Sequence, residues 1–174
     1  GSRSMEVDGR EGVYFAVWAP NAKSVSVVGD FNRWDHQAHP LSSRWDSSGI
    51  WEGFIPGLGE RRFYKFHIVS QINNYTVLKS DPLAFYSEVP PLTATLTWEL
   101  NYDWKDHEWM KSRHEHNALN SPMSVYEVHL GSWRRVVEER NRSFTYRELA
   151  HDLVNYVKDL GFTHVQFLPV MEHP

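Results

Sequence analysis

The spacing of apolar residues changes near residue 100, and this change is the strongest constraint on the fold. From residue 12 to residue 98, polar and apolar residues alternate in short runs that end at turn residues such as Pro20-Asn21 and Gly29-Asp30. After Pro122, the chain has two apolar runs separated by a segment with helical spacing. Alternation predicts β-strands, and helical spacing between apolar runs predicts a strand-helix-strand unit. The sequence therefore predicts two regions of different architecture.

The first region predicts an antiparallel, immunoglobulin-like β-sandwich over residues 12–99. Its candidate strands are GVYFAVWAP, KSVSVVGD, GIWEGFIPG, RRFYKFHIVS and PLTATLTWEL. In the fourth strand, Tyr64, Phe66 and Ile68 share one face, and Lys65 lies on the other. Five or more short strands at this spacing are typical of a sandwich, whose interior would take the Tyr64 face. Residues 1–11, which open with GSRS, are interpreted as an expression scar and a lead-in.

The second region predicts a βαβ unit over residues 121–174, after a connector at residues 100–120 with a helical turn near residues 108–113. Its elements are SVYEVHLGSW, TYRELAHDLVNYVKDLG and THVQFLPV. Thr145 and Glu148 match the capping box at a helix start, and Gly161 follows the helical pattern as a C-terminal cap. Short links predict parallel strands, and a strand as apolar as THVQFLPV is expected to be buried on both faces of a sheet or barrel.

Composition narrows the possible partners. The formal net charge is -4 without a block of like charges, which argues against nucleic acid or an anionic membrane as the partner. The chain has no cysteine, so disulfides and thiolate chemistry are excluded. No 18-residue apolar run or signal sequence is present in the 174 residues. These features predict a cytoplasmic location.

Aromatic residues in polar loops suggest a sugar-binding surface. Aromatics make up 14% of the chain, and Trp34 lies in the polar turn VVGDFNRWD. Tyr75 lies in a second polar loop, QINNYTVLKSDP, and Lys65 is predicted to face solvent. Sugars present apolar C–H faces for stacking and hydroxyl groups for hydrogen bonds, so these three residues are candidate glucan ligands. The alternative is that Trp34 is a packed turn residue, and the residues alone leave both interpretations open.

Other clusters give weaker indications. His114-Glu115-His116, with His107 nearby, lacks the spacing of a metal site, so neither a metal nor a cofactor is expected. Glu127 and His129 alternate on one face of a strand, where they are either catalytic or polar residues that fill a barrel interior. No pair of carboxylates has the spacing of an acid and a nucleophile.

Several motifs resemble the N-terminal part of bacterial-type 1,4-α-glucan (glycogen) branching enzymes. They are GVYFAVWAPNAKSVSVVGDFNRWD, FYKFHIV, KSDPLAFYSE, SVYEVHLGSWRR and LGFTHVQFLPVMEHP. The resemblance implies a family 48 carbohydrate-binding module followed by the first βαβ of a family 13 glycoside hydrolase (β/α)8 barrel. It also implies that Trp34 stacks on α-glucan, that Lys65 binds its hydroxyls, and that Tyr75 is a second stacking ring.

The resemblance implies retaining transglycosylation for the parent enzyme, in which a cleaved α-1,4-glucan segment is transferred to a 6-hydroxyl. The family supplies its three carboxylates from barrel strands four, five and seven, so the 174 residues are expected to be catalytically inactive. Residues 172–174 would border the donor groove at the end of the second barrel strand. The expected partners are α-glucan and the remainder of the barrel. A structural domain that orients the barrel without binding sugar, or the start of a debranching enzyme, remains the alternative.

Overall fold

The computed structural model describes residues 1–170, and the chain divides into two compact units, Gly1–Asp103 and Trp104–Pro174. Two antiparallel sheets form the first unit. The first sheet has the order β1 (Ser2–Val7), β2 (Arg10–Trp18), β5 (Ile50–Pro56) and β4 (Ser42–Ser43). The second sheet has the order β3 (Ala22–Gly29), β6 (Phe63–Ser70), β9 (Thr95–Leu96) and β8 (Tyr86–Ser87), and β7 (Thr76–Lys79) also pairs with β6.

The core of the first unit lies between the two sheets, as the sandwich prediction requires. Phe15 of β2 meets Tyr64 and Phe66 of β6 edge-on, with ring centroids 5.0 and 6.5 Å apart. The alternation along β6 is confirmed, because Tyr64 and Phe66 are fully buried and Lys65 belongs to the opposite face. Apolar residues from both sheets and their connections complete the core, namely Val13, Ala22, Val25, Val27, Leu41, Ile55 and Leu58.

Strand β1 corrects the prediction that residues 1–11 stand outside the fold. It pairs with β2 along its whole length, from Ser2 opposite Phe15 to Val7 opposite Arg10. The two strands are joined by Asp8 and Gly9, which both have positive φ, at 51° and 75°. Asp-Gly is a strong signal for a two-residue hairpin turn, and the sequence analysis passed over it.

Two further strands differ from the sequence prediction. β7 lies in the segment that was interpreted as a polar loop, and it extends the β6 hairpin. The predicted strand PLTATLTWEL has regular pairing only at Thr95 and Leu96. Its threonine hydroxyls also bond to neighbouring backbone, since those of Thr95 and Thr97 accept from the N–H groups of Asp81 and Arg62, each at 3.0 Å. Side-chain bonds of this kind compete with strand ladders.

The second unit contains the predicted βαβ arrangement. Its elements are α1 (His107–His116), β10 (Val125–Val128), α2 (Leu130–Trp133), β11 (Arg135–Val136), β12 (Arg142–Ser143), α3 (Tyr146–Asp159) and β13 (His164–Phe167). β10 and β13 pair in parallel, with Val125 opposite His164 and Val128 opposite Phe167, and α3 lies between them in the chain. The prediction of parallel strands joined by a helix is confirmed.

Helix α3 begins and ends as its sequence predicts. The Thr145 backbone N–H donates to the Glu148 carboxylate at 2.8 Å, and the Glu148 N–H donates to the Thr145 hydroxyl, which completes the capping box. Arg142 binds the same carboxylate and, with Thr145, lowers the pKa of Glu148 to about 2. After the helix, Gly161 adopts φ 78°, a left-handed conformation that glycine tolerates without strain.

The β10–β13 pair is covered on one face only among the residues described. Leu149, Leu153 and Val157 of α3 pack with Val128 of β10. Burial of THVQFLPV on both faces is expected inside a complete sheet or barrel, and in the described residues the strand instead exposes apolar side chains, with Phe167 51% exposed. A single helix over two strands leaves the opposite face open. Within residues 1–170, no helix has the length and apolar character needed to span a bilayer.

Candidate functional site

Trp34 lies in the turn that follows β3, here called the Trp34 turn and comprising residues 29–35. After Gly29 the chain makes a 3-10 turn (Asp30–Asn32), and Arg33 and Trp34 then adopt left-handed φ values of 56° and 61°. The Trp34 N–H donates to the Gly29 carbonyl at 2.8 Å, which closes the turn. Phe31 packs on the sandwich core, whereas Trp34 is 43% exposed and belongs to neither core cluster. The turn thus packs one aromatic ring against the core and leaves the other exposed to solvent.

The side chain of Asn32 closes the Trp34 turn from inside. Its Oδ1 accepts from the Gly29 N–H at 2.9 Å, and its Nδ2 donates to the Val27 carbonyl at 2.9 Å. A short polar side chain that bonds to nearby backbone stabilises tight turns of this kind. Sequence reasoning concentrated on the indole and missed Asn32, although asparagine two residues before Trp34 is a turn signal.

Lys65 lies on the outer face of the second sheet, which is the face turned away from the sandwich core. It is opposite Val28, and the next pair along the strands joins Tyr64 to Gly29. Lys65 is therefore at the end of the sheet where β3 leads into the Trp34 turn. Its Nζ donates to the Thr93 hydroxyl at 2.7 Å, a contact that the sequence analysis did not predict. An ammonium has three donors, so this bond leaves donors for a ligand.

The loop after the Trp34 turn covers part of this outer face. The His36 ring stacks on the His67 ring, with centroids 4.9 Å apart, and His67 is two residues beyond Lys65 on the same face. Val28 is fully buried although it belongs to neither core cluster. Burial lowers the pKa of His67, and the nearby His36 lowers it further. The outer face beside Lys65 is therefore partly covered by the loop that contains His36.

Tyr75 is not brought together with Trp34 and Lys65. It follows the hairpin loop between β6 and β7, where the Ser70 N–H donates to its carbonyl at 2.8 Å. Ser70 is five residues from Lys65 along β6, a span of roughly 17 Å. The pairing with Ser70 also gives Tyr75 the register of the Ile68 face, not the Lys65 face. The ring is 64% exposed, at the other end of the sheet.

The remaining candidates form no metal centre in the part of the chain that the structure describes. Glu127 pairs with Gln166, and His129 Nδ1 lies 2.8 Å from the Ser132 hydroxyl. His116 stacks on Trp109. Within residues 1–170, no three His, Asp or Glu side chains are grouped in a way that could hold a metal ion. Residues 172–174, which were predicted to border a donor groove, lie outside the described residues.

Comparison with known proteins agrees with the fold. Residues 3–84 match the family of carbohydrate-binding module 48, the isoamylase N-terminal domain. The chain is 54% identical to the 1,4-alpha-glucan branching enzyme of Aquifex aeolicus and 53% identical to that of Paramagnetospirillum magneticum. Both alignments cover 100% of this chain, but only 27% and 24% of the two relatives. The chain thus spans about a quarter of the length of the curated relatives it matches.

Solved structures show the same architecture. The pullulanase of Klebsiella pneumoniae, crystallised with maltotriose, has a TM-score of 0.60 and 25% identity, covering 92% of this chain and 17% of that protein. The apo form of that pullulanase has a TM-score of 0.61 and 24% identity. The match covers 92% of this chain and 19% of the pullulanase chain. Residues 3–84 thus match the family model of carbohydrate-binding module 48, and the whole chain is similar to the N-terminal quarter of the 1,4-alpha-glucan branching enzymes.

Proposed function

We propose that the outer face of the second sheet binds α-glucan through Trp34 and Lys65. The observation that supports this most is the Trp34 turn itself, which packs the partly buried Phe31 on the core and leaves the Trp34 indole half-exposed. Because the turn fixes the Trp34 backbone through its N–H bond to the Gly29 carbonyl, no further ordering of the main chain is needed when a sugar stacks on the ring. Lys65, at the same end of the sheet, supplies N–H donors for sugar hydroxyls. The pullulanase solved with maltotriose supports an α-glucan as the ligand class.

In this proposal Tyr75 has a peripheral role. Its distance from Lys65 along β6 and its position on the other face exclude a single compact site with Trp34. Only an α-glucan long enough to pass around the β6–β7 hairpin could contact all three residues. Tyr75 therefore contributes to binding of long chains and not to the affinity for short maltooligosaccharides.

We propose further that the parent protein is a cytoplasmic 1,4-α-glucan branching enzyme of glycogen synthesis, and that this chain delivers glucan to it. The parent reaction would be retaining transglycosylation, in which a carboxylate opens an α-1,4 bond and a 6-hydroxyl accepts the glycosyl group. The βαβ unit would be the first part of the (β/α)8 barrel, whose remainder is the partner of this chain. Because the resemblance assigns the three catalytic carboxylates to barrel strands four, five and seven, the 174 residues alone should leave the iodine colour of amylose unchanged.

The second candidate is a domain that orients the barrel without binding sugar. Native affinity electrophoresis in gels with and without glycogen separates the two. We expect glycogen to retard the wild-type chain and the Trp45→Ala variant, but not Trp34→Ala. Trp45 is the matched control because its side chain is 93% exposed and lies outside the second sheet. Equal mobility of the wild-type chain in both gels, at every glycogen concentration, would favour the orienting domain.

A further inference from the structure

The Asn32 side chain connects the Trp34 turn to a histidine. Besides its bonds to Gly29 and Val27, its Nδ2 lies 2.9 Å from Nδ1 of His39. The His39 ring is half-buried and meets Phe31 edge-on, with centroids 5.5 Å apart. The His39 carbonyl accepts from the Val27 N–H at 2.9 Å, which fixes the backbone beside the same strand. One amide group thus joins β3, the Trp34 turn and His39.

The orientation of the Asn32 amide is set by its backbone partners. The Gly29 N–H can only donate, so it requires the amide oxygen, and the Val27 carbonyl can only accept, so it requires Nδ2. Rotating the amide by half a turn would place oxygen against oxygen and N–H against N–H, and both bonds would be lost. Nδ2 therefore points to His39 whatever the state of the histidine, and its other nearby acceptor, the Asp35 carbonyl, is more distant, at 3.4 Å.

It follows that Nδ1 of His39 has to act as the acceptor. In neutral histidine one ring nitrogen is an acceptor, whereas both nitrogens are donors once the ring is protonated. With Asn32 fixed as a donor, the contact requires neutral His39 with its proton on Nε2. A protonated His39 would place two N–H groups against each other at hydrogen-bond distance.

We infer that Asn32 is a positioning residue for Trp34, and that protonation of His39 breaks the Asn32–His39 contact, loosens the Trp34 turn and weakens glucan binding at acidic pH. This inference rests on the proposed function of Trp34. It makes glucan binding at Trp34 depend on pH through His39, a residue that is not proposed to contact the sugar.

The charges around the contact set the pH range. Burial lowers the pKa of His39, and the carboxylate of Asp35 in the same loop opposes this by raising it. From β6, His67 faces the loop through its stack on His36, so this pair is a second acid-sensitive contact. Since the closed turn holds neutral His39, it is favoured above the ordinary histidine pKa of about 6.5 and is lost progressively as pH falls below that value.

Two substitutions at His39 separate its charge from its hydrogen bond. In His39→Asn, the amide oxygen can accept from Asn32 as Nδ1 does, but the side chain cannot be protonated near neutral pH. In His39→Leu, the acceptor is lost at every pH. The variant His67→Asn removes the stacked histidine pair and leaves His39 unchanged. It therefore measures how much that pair contributes to the pH dependence of glucan affinity.

Maltoheptaose affinity is then measured at pH 7.5 and pH 5.0 for the full 174-residue chain and each variant. We expect the wild-type chain to bind roughly three- to tenfold more weakly at pH 5.0, the range expected for one lost hydrogen bond. His39→Asn should bind as the wild type does at pH 7.5 and lose most of the pH dependence. His39→Leu should bind weakly at both pH values, and His67→Asn should keep the pH dependence. An unchanged pH step in His39→Asn would overturn the inference.

A measurement without sugar tests the coupling between His39 and Trp34 independently of the proposed function. The 1H-15N signal of the Trp34 indole should shift with pH at the midpoint at which the His39 ring titrates, and this shift should be absent in His39→Asn. If the shift is present but no glucan binds at any pH, the proposed function fails and the coupling stands. If glucan binds and the indole signal ignores the His39 titration, the coupling fails and the proposed function stands.

Discussion

The Nζ atom of Lys65 donates a 2.7 Å hydrogen bond to the hydroxyl of Thr93, which fixes the ammonium on the outer face of the second sheet. If Lys65 binds sugar hydroxyls, Lys65→Met should weaken maltoheptaose binding by roughly three- to tenfold, because methionine keeps the apolar stem and removes the donors. Isothermal titration calorimetry measures this loss directly. Thr93→Val, which leaves the ammonium in place but unfixed, should have a smaller effect. A larger loss in Thr93→Val than in Lys65→Met would show that Thr93, and not the ammonium, contacts the ligand.

Tyr75 gives a prediction that depends on ligand length. Because it lies at the far end of β6, Tyr75→Ala should change the affinity for maltotriose by less than about twofold, which is within the scatter of exposed substitutions. The same variant should reduce retention by glycogen, whose chains can reach the hairpin. Parallel calorimetry and affinity electrophoresis compare the two ligands. Loss of maltotriose binding in Tyr75→Ala would place the sugar at the hairpin and contradict a site centred on Trp34.

Removal of two buried hydroxyls, those of Thr97 and Ser26, should have different effects on the stability of the sandwich. The Thr97 hydroxyl donates to the Gly59 carbonyl at 2.8 Å and accepts from the Arg62 N–H, so Thr97→Val should destabilise the sandwich by about 1–3 kcal/mol. The Ser26 hydroxyl is buried without a hydrogen-bond partner among the described residues, so Ser26→Ala should be neutral or slightly stabilising. Urea unfolding followed by NMR signals of the sandwich core measures both. Equal destabilisation by the two variants would mean that Ser26 has a bound water that holds it.

Amide hydrogen exchange should distinguish the two units of the isolated 174-residue chain. We expect slow exchange in β2, β3 and β6, whose side chains are buried between two sheets. Faster exchange is expected from residue 125 to residue 168, because the β10–β13 pair has one covered face and Phe167 is half-exposed. Local stability follows such differences in burial. Equal protection in both units of a monomeric sample would contradict this expectation.

The parts of the fold that the sequence predicted correctly depend on local patterns. Alternation along RRFYKFHIVS placed Tyr64 and Phe66 in the core because strand side chains point to alternate faces. The T-x-x-E pattern predicted the start of α3 because the capping box needs residues only three positions apart. Strand β1 could also be predicted from the sequence, since Asp8-Gly9 is a local hairpin signal.

The parts that were missed depend on contacts between distant residues. The contacts of Lys65 with Thr93 and of His36 with His67 join side chains about 30 positions apart, and no local pattern specifies them. Two successive left-handed residues, Arg33 and Trp34, set the direction of the indole, although neither residue type favours that conformation. The separation of Tyr75 from Lys65 became apparent only from the strand register.

The most direct test of the account is the set of indole signals in a 1H-15N spectrum during titration with maltoheptaose. Eight tryptophans provide eight probes in one sample, and they are distributed over both units. If α-glucan binds at Trp34 and Lys65, the Trp34 signal should shift most and saturate, the Lys65 amide should follow it, and the Trp45 signal should stay in place. A saturating shift at Trp45 or in the second unit with Trp34 unmoved, or no shift at any indole at millimolar sugar, would contradict the account.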